Sequence, residues 1–209
     1  MYHLIKKDLL IQKRTFWISM LMVLFFTIAL ANLGPAGLAM SIFAINYTLT
    51  LGAIAQEDRT NGDMLLQSLP IKKSTIVSSK YVSVYVFAAY AILLNLAFIG
   101  LIRLLHLPIP VIPFSLEGVF WALLSITLYT SVSFPLIFKW GYLRARTVNY
   151  ILTFTFIFIA TNLMNHLVEG TPLNIQTDPM LKVSLWLCLG LLLVLSYFLS
   201  LTFYKRREF

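Results

Sequence analysis

Three histidines, one cysteine and eight acidic residues are the side chains most able to carry chemistry in this chain. Their spacing argues against a catalytic centre. His3, His106 and His166 are scattered, so none belongs to the His-Glu-x-x-His pattern that holds zinc on one helix face. No glutamate pair precedes an arginine, and no nucleophile comes with a base. Cys188 stands alone, which excludes an internal disulfide framework and a multi-cysteine metal site. No glycine is followed by lysine, so the chain lacks a Walker-type loop for cradling phosphates. What remains is a set of uncharged polar residues inside long apolar stretches: Ser41, Asn46, Thr48, Thr127, Ser131, Thr155, Asn162 and His166. At 100° per residue Ser41, Thr48 and Gly52 fall on one helix face and Asn46 with Thr50 on the opposite one, while Thr155, Asn162 and His166 share a face. Such groups are costly in hydrocarbon, so they either hold helices together or line a path for cargo. His166 is open to the same two readings, with a ligand or base as a third.

The elements that must position these residues are membrane spans. Of 209 residues, 59% are hydrophobic and 11% charged. A soluble domain carries about 25% charged residues, so this chain has too little polar surface to cover a globule in water. Six apolar stretches stand out: 16–32, 38–55, 81–101, 119–138, 149–167 and 183–204. Each approaches or exceeds the roughly 20 residues a spanning helix needs. They do not alternate, and backbone groups in lipid must be satisfied within the segment, so helices are expected rather than a barrel. The expected fold is an all-α integral membrane protein, a single transmembrane domain over 1–209, with six transmembrane helices.

Charge sets the orientation. All but two of the 16 basic residues lie before the first stretch, between the second and third, between the fourth and fifth, or after the sixth; only Arg103 and Lys182 fall opposite. The positive-inside rule places both termini in the cytoplasm. The net charge of +8 is thereby explained by topology and anionic lipid, and no nucleic acid is expected. The basic start, apolar run and Ala29-Leu30-Ala31 also resemble a secretory signal. That run is at the upper limit for a signal core and Asp8 interrupts the basic region, so retention is expected.

The cytoplasmic connection 56–80 is long and patterned. Thr60 and Asn61 can cap a helix, Gly62-Asp63 puts an acid in its first turn, and Met64 to Leu69 carries it to Pro70. Ile71-Lys72-Lys73 then turns, and Ser74 can cap a second helix running through Lys80 into the third span. The short transverse helix presents Met64, Leu65, Leu66 and Leu69 at the cytoplasmic surface. Those side chains either rest on lipid or enter a groove on a partner.

The run from Glu57 to Tyr81, with Ser68-Leu69-Pro70, the basic pair Lys72-Lys73 and Lys80 before the third span, resembles the second-loop signature of bacterial ABC-2 exporter permeases. The resemblance implies a coupling helix over Asn61 to Leu69, with Glu57, Asn61, Gly62, Asp63, Met64, Leu65, Leu66 and Leu69 as the ATPase-coupling residues. It implies that residues 1–15 form an interfacial helix lying along the membrane. It further implies partner ABC ATPase subunits that hold ATP and Mg, a second permease copy as homodimer or heterodimer, and residence in the bacterial plasma membrane. This chain would bind no cofactor or metal and catalyse nothing by itself. Compact permeases of this appearance serve exporters of antimicrobial or toxin peptides, phenol-soluble modulin exporters among them. The apolar walls and scattered hydroxyls suit an amphipathic or hydrophobic cargo. The short apolar segment 107–113 and the short loop 168–182 depart from larger relatives, which carry re-entrant elements there. A membrane enzyme and a small membrane immunity or interaction protein are the other function classes.

Overall fold

The computed structural model describes residues 2–60, 62, 71–106, 112–169 and 179–206, with backbone alone at 2, 14, 159–169, 179–182 and 185. All regular structure among the described residues is helical. The helices are α1 (Tyr2–Ile11), α2 (Lys13–Ala29), α3 (Gly34–Arg59), α4 (Lys73–Leu104), α5 (Leu116–Trp140), α6 (Tyr142–Glu169) and α7 (Pro179–Arg206). A 3-10 turn over Ala31–Leu33 joins α2 to α3. Each apolar stretch read from the sequence falls largely within one helix, as backbone confined to hydrocarbon requires. Four of the helical segments are long and apolar enough to cross a membrane: Ala31–Arg59, Lys73–Leu104, Leu116–Trp140 and Trp186–Arg206. The pair α1 and α2, bent by 68°, makes a fifth if the two together count as one span.

Two local expectations, the end of the N-terminal helix and the Ser74 cap, are corrected. The N-terminal helix ends at Ile11 rather than near Arg14, and a new helix starts at Lys13. The helix that Thr60 and Asn61 are expected to open lies outside the described residues. Thr60 itself closes α3, with its N–H and its hydroxyl both donating to the Gln56 carbonyl at 3.1 and 3.0 Å. A threonine hydroxyl can satisfy the orphan carbonyls at a helix end as well as the orphan N–H groups at a start, and here the last turn of α3 reaches it first. Ser74 lies inside α4, whose N-cap is Lys72 with no side-chain cap bond. Pro135 sits within α5, which continues through it. Gly141 separates α5 from α6 at φ +77°, a backbone that a side chain would strain, and its N–H bonds the Ile137 carbonyl at 2.8 Å.

The chain packs as two units, Met1–Ile126 and Thr127–Glu208. In the first, Leu38, Ile42, Ile45 and Leu49 of α3 are fully buried, a spacing that keeps one stripe facing inward. Val77, Val84, Phe87 and Ala91 of α4 are buried with them. Gly118 lets α5 approach α3 closely: a Cβ there would stand 2.7 Å from the Pro35 carbonyl oxygen. Trp17, Leu21 and Phe25 of α2 face outward, as a lipid-facing stripe must. In the second unit Ser133 of α5 donates to Asn149 of α6 at 2.6 Å. Phe138 of α5 and Tyr204 of α7 meet edge to face with centroids 5.6 Å apart.

Candidate functional site

Where the N-terminal helix meets the end of α3 and the start of α4, four charged side chains converge. Asp8 of α1, Glu57 of α3 and Lys80 of α4 are buried, and the Lys7 side chain is 29% exposed. Lys80 donates to Asp8 at 2.9 Å and pairs with Glu57. Lys7 pairs with Glu57 and stands 3.6 Å from Asp8. Ser83, one turn after Lys80 and so on the same face of α4, donates to the second Asp8 oxygen at 3.0 Å. The two acids and two bases therefore alternate around a square of zero net charge. Burying any one of them alone would cost several kcal/mol after relaxation, and mutual pairing with extra hydrogen bonds is what makes the burial tolerable.

The surroundings lock α1 further. Gln12, fully buried between α1 and α2, donates its amide to the Leu49 carbonyl of α3. Gly52 leaves room for it, since a Cβ there would lie 3.3 Å from the Gln12 nitrogen. On the other side of the square Gly62 packs against Glu57, where a Cβ would come within 2.8 Å of the glutamate Cγ.

Of the sequence-derived coupling residues, Glu57 and Gly62 are thus brought together at one place. Asn61, Asp63, Met64, Leu65, Leu66 and Leu69 lie outside the described residues. The polar residues within the apolar stretches are placed as follows. Ser41 donates to Asn95 of α4 at 2.9 Å, and Asn46 donates to the Val84 carbonyl at 3.1 Å. Thr50 donates to Asn46 at 2.8 Å. Thr48 bonds back to the Ala44 carbonyl at 2.8 Å and approaches the Met22 sulfur of α2. Ser41 and Asn46 therefore both reach α4, whereas Thr48 approaches α2. In the second unit Ser131 donates to the Thr127 carbonyl at 2.7 Å, and both are buried. Thr155 is exposed, with its hydroxyl on the Ile151 carbonyl at 2.8 Å. The side chains of Asn162 and His166 lie outside the described residues. Among the described residues no group of His, Cys, Asp or Glu is arranged to hold a metal ion.

Sequence reasoning counted Lys7 and Lys80 in the basic bias, with Lys80 also in the second-loop signature, and overlooked Asp8, Ser83 and Gln12 as site residues. One signal was available: Asp8 is the sole acid before Glu57, placed in an otherwise basic segment. A lone acid there needs a partner, and the sequence does not say which.

A family model described as "ABC-2 family transporter protein" matches residues 3–205. No curated protein and no solved structure matches the chain.

Proposed function

Because the chain belongs to the ABC-2 family of transporter proteins, a family whose membrane subunits normally work with ABC ATPases, we propose that it is the permease subunit of an ATP-driven exporter powered by a separate ATPase. It is a multi-pass membrane protein with at least four helices able to span. In this reading it crosses the bacterial plasma membrane six times, with α1 and α2 supplying the N-terminal interfacial helix and first span and α6 supplying the fifth span. Both termini and the connection between α3 and α4 face the cytoplasm, as the charge bias supports.

The observation that carries the reading is the family match over 3–205. The buried square of charge supports it, since it secures the roots of the one long cytoplasmic connection. Residues 61–69 of that connection dock on the ATPase through Met64, Leu65, Leu66 and Leu69. A second permease copy completes the path, because six helices enclose too little space for a sizeable peptide. Ser41 and Asn46 hold α3 to α4 in this account. Thr155, Asn162 and His166 are then the more suitable lining for an amphipathic cargo.

Export is tested by coexpressing the chain with a candidate ABC ATPase subunit and challenging cells with an amphipathic antimicrobial peptide. Cells carrying both are expected to accumulate less peptide than cells carrying either alone. Equal accumulation in all three contradicts the assignment of cargo class.

A further inference from the structure

The charged square joins three pieces of chain that are remote in sequence. Asp8 and Lys80 are 72 residues apart, and Lys7 and Glu57 are 50 apart. Glu57 lies two residues before the end of α3 and Lys80 two turns into α4, so the square spans both stems of the connection 61–72. Its third member, α1, has no covalent link to either stem except through α2. Two further clamps tie the stems to each other deeper in the apolar zone: Asn46 to the Val84 carbonyl, then Ser41 to Asn95. From Glu57 to Ser41 the clamps extend over about 24 Å of helix at ~1.5 Å per residue. That is most of a bilayer core of roughly 30 Å.

Such an arrangement resists relative motion of its parts. A hinge between α3 and α4 would have to break hydrogen bonds in hydrocarbon, where no water replaces them. Detaching α1 would leave Glu57 and Lys80 with one partner each, and Ser83 with none from Asp8. The geometry points to Lys7, Asp8, Glu57 and Lys80 as positioning residues of the transport cycle: a latch that makes α1 and the α3–α4 hairpin one moving body. A displacement delivered to the connection is then passed to the whole hairpin and to α1 together, rather than absorbed by bending at the stems. The role in transport rests on the function proposed above, while the latch itself is a property of the chain.

The experiment measures distance by spin labels at Leu10 of α1 and Leu93 of α4, both exposed, in full-length chain with Cys188→Ser. In the unsubstituted latch one narrow distance is expected, unchanged between nucleotide-free assembly and assembly trapped with ATP and vanadate. Lys80→Met is expected to add a second, longer population, and Lys80→Arg, which keeps the charge, to restore the single one. If Lys80→Met does not accumulate, Glu57→Gln replaces it, since it keeps side-chain size and removes the charge. A single wild-type distance in the variant overturns the latch, and so does a wild-type distance that changes on trapping. The nucleotide-free comparison needs no ATPase. Failure of the wild-type chain to associate with an ATPase would therefore overturn the functional reading while leaving the latch to be judged separately.

Discussion

Lys80 counts in the sequence as one of the cytoplasmic basic residues, yet it is buried between two carboxylates. The charge count was legible and the partners were not, because nothing local distinguishes a lysine that pairs with lipid from one that pairs with a residue 72 positions away. The structure makes the two cases differ in energy. Removing one member of a buried ion pair costs about 3–5 kcal/mol, because the other is left uncompensated. Removing an interhelical hydrogen bond in a membrane costs on average about 0.6 kcal/mol. Lys80→Met is thus expected to lower thermal stability in detergent far more than Ser41→Ala, although Ser41 also joins α3 to α4. Equal shifts in the two melting curves would mean that the square contributes little beyond ordinary packing.

At the level of elements, all six apolar stretches fall largely in helix, and four of the helical segments are long and apolar enough to span, since such runs announce themselves by composition over some 20 residues. Boundaries were less legible. The resemblance implies one interfacial helix over 1–15, but α1 stops at Ile11 and α2 starts at Lys13, where Gln12 turns inward to Leu49 of α3. Only the tertiary contact makes that break visible. Thr60 is ambiguous for a similar reason, as its hydroxyl can serve the end of one helix or the start of the next. Helix approach is also hidden in sequence. Gly118 reads as one more small residue, yet α5 can lie on α3 only because no side chain stands between it and Pro35. Gly118→Leu is expected to separate the two helices and lower the yield of monodisperse protein in size-exclusion chromatography. Gly100→Leu, at a position where a Cβ meets nothing within 4 Å, serves as the tolerant control. Similar profiles for both would deny that this close approach matters.

For the whole molecule, the even number of apolar stretches and the basic bias predict six spans with both ends inside. Reporter fusions should report Gly62, Tyr142 and Phe209 as cytoplasmic and Pro110 and Thr171 as external. A cytoplasmic Pro110 would break the arrangement. The central claim, a permease driven by an ABC ATPase, is tested most directly by affinity purification of the tagged chain coexpressed with a candidate ABC ATPase subunit. Burial of two or three leucine-sized side chains contributes several kcal/mol at ~25 cal/mol per Å², whereas a carboxylate forced into a dry pocket without a partner opposes binding strongly. The wild-type chain should retain the ATPase through washing, and Leu65→Asp and Leu66→Asp should lose it while inserting normally. Retention of the ATPase by both variants at wild-type levels, or none by the wild-type chain, would contradict the account.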